Sequence, residues 1–390
     1  MKRPVLTLIG ALMISAAAPA QKLDSICYTV ALEAPSLKAQ ETRIAAQRLQ
    51  NEADNSLAGP EADFDYKFNA SGGENRWGVS VGQGFDWPGV YYSRRKSNKL
   101  RESALENLHR QNVADKALEI KLAAIRLGQA RQNVRVLGEA KSNFEELVAK
   151  MKYAFDRSET TILNLRKSEL QLMSVNSTLA EAENELSQAE AALEAVAPGA
   201  LSRFDGVEGV EIAQLKPEQV YLEALNASSG MMSVSTEAEA ARNDISVAKR
   251  AAMPSFKLSY VHDYEEFTHF NGFGISIALP SWQPARNVAL ARANAIAADL
   301  DAVDYGIVQR ARLHADYTEA ERLYARIADQ QELLASDYPA LLKKAFDASI
   351  ITVFDYLREY NDYLDTLSRH NALVAGYAGV EARLAKNFLK

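Results

Sequence analysis

One cysteine, Cys27, stands in 390 residues. A single thiol excludes an intrachain disulfide framework. Prolines number 11 and leave long stretches uninterrupted, so long helices are permitted; an interior proline would cost a helix about 3 kcal/mol. After the first residues no stretch is long and apolar enough for a membrane helix, which needs about 20 apolar residues. Basic residues are not in excess: the formal net charge is −7, and no basic patch dominates, which leaves a nucleic-acid partner without support. Catalytic patterns are missing too. There is no Gly-x-Ser-x-Gly, no phosphate-binding loop and no His-Glu-x-x-His. The expectation is a protein that is not an enzyme and holds no cofactor.

The N-terminus reads as an export leader. Lys2 and Arg3 form a charged start, Val5 to Ile14 a short apolar stretch, and Ala18-Pro19-Ala20 a small-residue cleavage site before Gln21. Residues 1–20 are therefore assigned to a signal peptide. Ile26 precedes Cys27 where acylation needs a small residue, which argues against a lipid anchor. An exported chain without disulfides and rich in Ala, Glu, Leu, Arg and Gln points to long helices.

The chain also contains itself twice. Lys152-Tyr153-Ala154-Phe155-Asp156-Arg157-Ser158 returns as Lys343-Lys344-Ala345-Phe346-Asp347-Ala348-Ser349, and each copy is followed by a Thr, Thr161 and Thr352. Tyr28 to Leu32 is echoed by Tyr221 to Leu225, and Pro60 by Pro254. A period of nearly half the chain means two copies of one large unit rather than a solenoid. The first repeat is assigned to 21–196 and the second to 216–390, with 197–215 as a packed linker; the segment Gly206 to Ile212 within it has the pattern of a short strand.

Each repeat opens with a polar helix, from Pro35 to about Leu57 and from about Lys216 to Ala252. Two strands follow, near 62–69 and 76–87 in the first repeat and 255–263 and 271–280 in the second. Phe64, Tyr66 and Phe68 alternate with Asp63, Asp65 and Lys67; Phe273, Ile275 and Ile277 alternate with Gly272, Gly274 and Ser276. Period-two alternation makes strands with two unlike faces. Taken alone such strands favour a soluble antiparallel sheet with one face on a core. They also have the length of transmembrane barrel strands, about 9–11 residues, and carry Trp77, Trp87, Tyr260 and Trp282 near their ends. In that second case four strands cannot close a barrel, since the smallest membrane barrels have about eight. Several chains would have to share one.

Long helices fill the rest, as hairpins over 89–196 and 285–388. Leu165, Leu172, Leu179, Leu186 and Leu193 recur every seven residues, with Val175, Ala182, Ala189 and Val196 in the companion register. Tyr356, Tyr363, His370, Tyr377 and Leu384 form the matching seam of the second repeat, beside Val353, Tyr360, Leu367 and Val374. Both read as coiled-coil packing. Pro339 predicts a kink shortly before the Lys343 motif.

In this order the parts resemble the TolC-like outer-membrane efflux proteins. The marks are Ala31-Leu32-Glu33-Ala34-Pro35-Ser36-Leu37-Lys38-Ala39, Arg250-Ala251-Ala252-Met253-Pro254-Ser255, Gly274 to Pro280, and the repeated turn followed by Thr352-Val353-Phe354-Asp355. The resemblance implies a mainly α fold with a small β part: long antiparallel coiled-coil hairpins forming an α-barrel, and four transmembrane strands per chain in a shared twelve-stranded barrel. It implies a homotrimer in the outer membrane of a Gram-negative bacterium, surrounded by lipid and extending into the periplasm. Such a trimer is a passive exit duct, joined by a periplasmic adaptor to an inner-membrane RND or ABC pump. Asp355 matches an aperture carboxylate, with Arg358, Asn164 and Phe346 as further gate candidates. Ser158, Glu159, Ser349 and Ile350 take the place of the adaptor-contacting tips. Relatives carry Gly where this chain has Ser349, so a left-handed backbone there is costlier.

His262 and His269, with Asp263, Glu265 and Glu266 between them, are placed in the loop joining the second strand pair. Their spacing matches no defined metal site, and the plain reading is a hydrated loop. His109, His314 and His370 stand singly on helices. The competing reading of the whole chain is an exported periplasmic coiled-coil adaptor or scaffold without a membrane barrel.

Overall fold

A computed structural model of the chain describes residues 17–68, 75–207, 210, 212–265, 267–279, 283–334 and 337–388. The first half runs α1 (Ala17–Glu33), α2 (Pro35–Asp54), β1 (Glu61–Lys67), β2 (Arg76–Phe85), α3 (Pro88–Asp156) and α4 (Ile162–Val196). The second runs α5 (Glu218–Asn226), α6 (Ser229–Ala251), β3 (Ser255–Glu265), β4 (Thr268–Ala278), α7 (Gln283–Leu334), α8 (Tyr338–Asp347) and α9 (Val353–Ala385). The internal repeat is thus structural: two helices, two strands and a helical hairpin, twice. Helix α3 alone has 69 residues, about 100 Å at 1.5 Å per residue.

Three local expectations change. The opening helix of the second half is two helices, and in the first half a further helix, α1, precedes the one expected from Pro35. Pro35 lacks an N–H and disfavours helical backbone at Ala34, so α1 ends there and α2 begins. In the second half the break falls at Ser228, whose side chain caps α6 by accepting from the Met231 N–H. Pro339 does not kink a continuous helix. It sits in the first turn of α8, behind the N-cap Asp337, where a missing N–H costs nothing. Leu201–Phe204 of the linker forms a 3₁₀ turn; the strand pattern expected at 206–212 falls on residues that include Glu208, Gly209 and Glu211, which lie outside the described residues. Strands β1 and β2 end two residues earlier than expected, and β3 extends two further. The turn at 71–74, the Pro280-Ser281-Trp282 segment and residues 1–16 of the leader also lie outside.

The chain divides into two compact units. One comprises Met1–Leu37, Asn112–Asn226 and Arg310–Lys390, the other Lys38–Gln111 and Ala227–Gln309. The first contains the heptad seams. On α4 the buried row is Ser168, Val175, Ala182 and Ala189, flanked by Leu165 and Leu193. Ser168 extends the Val175 register by one heptad; sequence reading passed over it because it is polar. On α9 Tyr356, Tyr360, Val374, Tyr377 and Leu384 are buried. Fully buried Phe144 of α3 meets Tyr360 edge-on, centroids 5.0 Å apart. A second cluster joins Cys27, Ala31, Ile120, Leu127, Leu193 and Phe204. Burial pushes the Cys27 thiol up to about 12, so it behaves as a small apolar core residue. Beside it Lys121 Nζ lies 2.7 Å from Asp24. Tyr377 donates its hydroxyl hydrogen to the Ala213 carbonyl, 2.5 Å away, which ties the linker to α9.

The second unit holds the sheet and the helix segments around it. Small and polar side chains dominate its helix contacts. Ser233 donates to the Ala104 carbonyl at 2.8 Å, Asn243 to that of Ser93 at 2.9 Å, and Asp244 accepts from Ser97 and Arg101. Phe144→Ala tests the packing of the first unit. Truncating this buried ring is expected to cost about 3–5 kcal/mol, read as a lowered denaturation midpoint.

Candidate functional site

The candidate residues gather in two places, one in each unit. In the first unit both helical hairpins turn through the same backbone motif. At the end of α3 the Ser158 N–H donates to the Phe155 carbonyl and the Glu159 N–H to that of Ala154. At the end of α8 the Ser349 N–H donates to Phe346 and the Ile350 N–H to Ala345. This is the Schellman pattern, which needs a left-handed residue at its centre. Ser158 has φ +63° and Ser349 φ +59°. Serine thus holds a conformation that costs an L-residue roughly 1–2 kcal/mol and that glycine adopts freely.

The helices that follow are capped by the repeated threonines. The Thr161 side chain accepts from the Asn164 N–H on α4. On α9 Thr352 accepts from the Asp355 N–H at 3.2 Å, while Asp355 Oδ2 accepts from the Thr352 N–H at 3.3 Å and from its hydroxyl at 2.6 Å. Asp355 therefore completes a capping box. These Thr352 hydrogen bonds, with a smaller contribution from Arg358, hold its carboxyl below the usual range. In the first turn Asn164 cannot act so. Its amide donates to the Thr160 hydroxyl at 3.1 Å. The Thr-x-x-Asp spacing was the available signal for this cap, and sequence reading treated the threonines only as repeat markers.

The other candidates are distributed around these turns. Arg358 pairs with its neighbour Glu359 at 2.9 Å, not with Asp355. Phe346 packs on Tyr356, ring centroids 5.1 Å apart, in the apolar cluster that includes Phe144 and Tyr360. Ser158, Glu159, Ser349 and Ile350 are exposed, and Ile162, Leu163 and Phe354 add exposed apolar surface nearby. Sequence reading missed an ion-pair cluster joining the hairpins. Glu146 of α3 meets Lys343 of α8 at 2.6 Å and Lys150 at 3.2 Å, and Lys150 meets Asp347 at 3.0 Å. Lys343, then Lys150, holds the Glu146 carboxyl below its ordinary value, and Asp347 raises Lys150. Farther along, Gln171 and Asn361 exchange amide hydrogen bonds at 2.6 and 3.0 Å between α4 and α9. They line a polar groove of about 480 Å³ with Glu181, Glu185 and Asp365.

The second place is the sheet. Its strands pair antiparallel in the order β1-β2-β3-β4. The central pairing of β2 with β3 joins the strand hairpins of the two repeats. The register sorts the side chains by face. Phe64, Val79 and His262 lie in one cross-strand row, Val81, Tyr260 and Phe273 in another, and Phe85, Phe256 and Ile277 in a third. The opposite face carries Asp63, Asp65, Ser80, Lys257, Ser259 and Ser276 with Gly78, Gly82 and Gly274. Gly78 and Gly82 lie under the side chains of Asp263 and Lys257, where a Cβ would collide. Lys257 bridges Glu61 at 2.7 Å and Asp63 at 3.6 Å.

The apolar face packs on no core. Phe273 is 83% and Ile275 73% exposed, and among the described residues none of the apolar clusters contains a strand side chain. A sheet covered on one face, favoured by the strands alone, is not what forms. His262 and His269 are not loop residues either. They stand on β3 and β4 on this same face, with Asp263 on the other; Glu266 lies outside the described residues. Among the described residues no three His, Cys, Asp or Glu side chains gather as a metal cluster, and no helix is long and apolar enough to cross a membrane.

The capping box makes a pH prediction. A depressed carboxyl pKa contributes stability above its unfolded value and loses it as pH falls through the folded value. The first turn of α9 is expected to lose protection at the Asp355 and Tyr356 amides as pH drops below about 4, measured by hydrogen exchange. Asp355→Asn should remove that pH dependence, and Thr352→Ala should cost about 1 kcal/mol at neutral pH.

No family model and no curated protein matches the sequence. Solved structures do match in fold. A membrane protein from Pseudomonas aeruginosa aligns at TM-score 0.77 and 14% identity over 94% of this chain and 92% of that one. The outer membrane protein VceC from Vibrio cholerae aligns at 0.74 and 16% over 94% and 96%. The CmeC outer membrane channel of Campylobacter jejuni aligns at 0.71 and 17% over 94% and 85%. The fold of this chain, helical hairpins and four-stranded sheet together, is that of the TolC-like outer-membrane channel proteins.

Proposed function

We propose that the chain is one subunit of a trimeric exit duct in the outer membrane of a Gram-negative bacterium. Three copies share one twelve-stranded barrel, and a periplasmic adaptor with an inner-membrane RND or ABC pump delivers the substrate. The observation that carries this reading is the open sheet. Its apolar face has no cover, its other face is polar and glycine-rich, and β1 and β4 each leave an edge unpaired within the chain. Lipid suits the first face and a water-filled lumen the second. Unpaired edges have no solution in hydrocarbon except closure with other copies. A periplasmic scaffold would leave the same apolar face in water, which disfavours the competing reading.

In this trimer the hairpin turns form the periplasmic tip. Three Asp355 carboxylates around the axis attract cations and repel one another. Arg358, one turn on, tempers that repulsion. Asn164 and Phe346 complete the constriction as a neutral and an apolar member. Ser158, Glu159, Ser349 and Ile350 offer the adaptor its contacts, helped by the exposed Ile162 and Leu163.

The mature protein, extracted in detergent, should cross-link to trimers and form cation-selective channels in planar bilayers. A soluble monomer released by osmotic shock would overturn the duct. For the aperture, Asp355→Asn keeps an acceptor at the cap and removes the charge. Raised conductance with weaker cation selectivity is expected for Asp355→Asn, while Thr352→Val should leave selectivity intact. Wild-type conductance and selectivity in Asp355→Asn would remove this residue from the aperture.

A further inference from the structure

The β3–β4 hairpin carries two histidines that the duct does not use. They are diagonal neighbours, since His262 pairs with Asn271 and Tyr264 with His269. His262 Nε2 lies 3.2 Å from His269 Nδ1. Asn271 Oδ1 accepts the Tyr260 hydroxyl at 2.8 Å and lies 2.7 Å from His262 Nδ1. A carboxamide oxygen can only accept. Nδ1 of His262 therefore carries its hydrogen, and Nε2 turns a lone pair toward His269. Aromatic rings hold both imidazoles from the sides. Trp77 lies 5.6 Å from His262 and Tyr264 5.1 Å from His269, centroid to centroid.

This arrangement is that of an oriented ligand pair. A metal-binding imidazole usually donates its second N–H to an oxygen that sets its tautomer and plane, which is the role of Asn271 toward His262. Two imidazole nitrogens bound to one tetrahedral ion at about 2.0–2.1 Å stand about 3.3 Å apart. The pair already stands at 3.2 Å. We infer that His262 and His269 form a binding site for a divalent transition-metal cation of the Zn²⁺, Ni²⁺ or Cu²⁺ class. Two nitrogen donors, with no carboxylate on their face among the described residues, favour these ions over Mg²⁺ and Ca²⁺, which require oxygen ligands. The remaining coordination positions are open to water.

Binding needs one rearrangement. The hydrogen on His269 Nδ1 moves to Nε2, and the freed Nδ1 lone pair joins that of His262 Nε2 on the ion. The hydrogen moves within one ring, so the rearrangement itself releases no proton. The ion then ties edge strand β4 to β3 next to their turn. The site rests on the hairpin alone and does not depend on the duct reading.

The test uses the full-length mature protein in detergent, titrated with ZnCl₂ by calorimetry and loaded with CuCl₂ for electron paramagnetic resonance. One Zn²⁺ per chain is expected, with no binding of MgCl₂. His262→Ala and His269→Ala should each abolish it, and Asn271→Leu should weaken it about 10-fold. Cu²⁺ spectra should show two nitrogen donors in the wild type and lose that two-nitrogen pattern in either single variant. Because both histidines lie on an uncovered face, the variants leave the core untouched. Absence of Zn²⁺ binding in the wild type, or equal affinity in the His262→Ala/His269→Ala double variant, would overturn the site.

Discussion

An open antiparallel sheet has two edges whose N–H and C=O groups point at nothing in their own chain. In this protein those edges belong to β1 and β4, and the apolar face between them has no cover. The constraint organises the rest. The β2–β3 pairing uses one strand from each repeat, so neither half can make the sheet alone. Glycines occur on the polar face at Gly78, Gly82 and Gly274, where charged and hydroxyl side chains lie over the neighbouring strand. The two faces suit opposite surroundings, which is the ground for the proposed sharing of one barrel among copies.

At the hairpin ends a different balance holds. Left-handed serines at Ser158 and Ser349 are costly, yet each turn gains two backbone hydrogen bonds and a threonine cap. The Glu146, Lys150, Lys343 and Asp347 cluster and the packing of Phe346 on Tyr356 hold the second turn against α3. The two turns share a backbone but not a charge. Asp355 is ionised within its cap, whereas Asn164 is neutral and bonded to Thr160. Because the Asp355 carboxylate closes the cap of α9, the stability of that first turn depends on its charge.

Much of this was legible because it is local and periodic. Heptads announced the α4 and α9 seams, and alternation announced four strands to within three residues at their ends. What escaped was set by single side chains meeting backbone. Ser228 splits a helix by capping it, Pro339 starts one instead of bending it, and Asp355 closes a box with Thr352. Polar Ser168 was passed over in a seam where its hydroxyl donates to the Asn164 carbonyl at 3.0 Å.

The sequence by itself determined the duplication, the element types and the alternation of faces, because each depends only on spacing along the chain. Tertiary structure decided which residues share a row across strands, that the apolar sheet face stays bare, and that His262 and His269 meet while Asp263 turns away. These are matters of register and long-range pairing. A shift of one residue would exchange every face, and only the paired strands fix it.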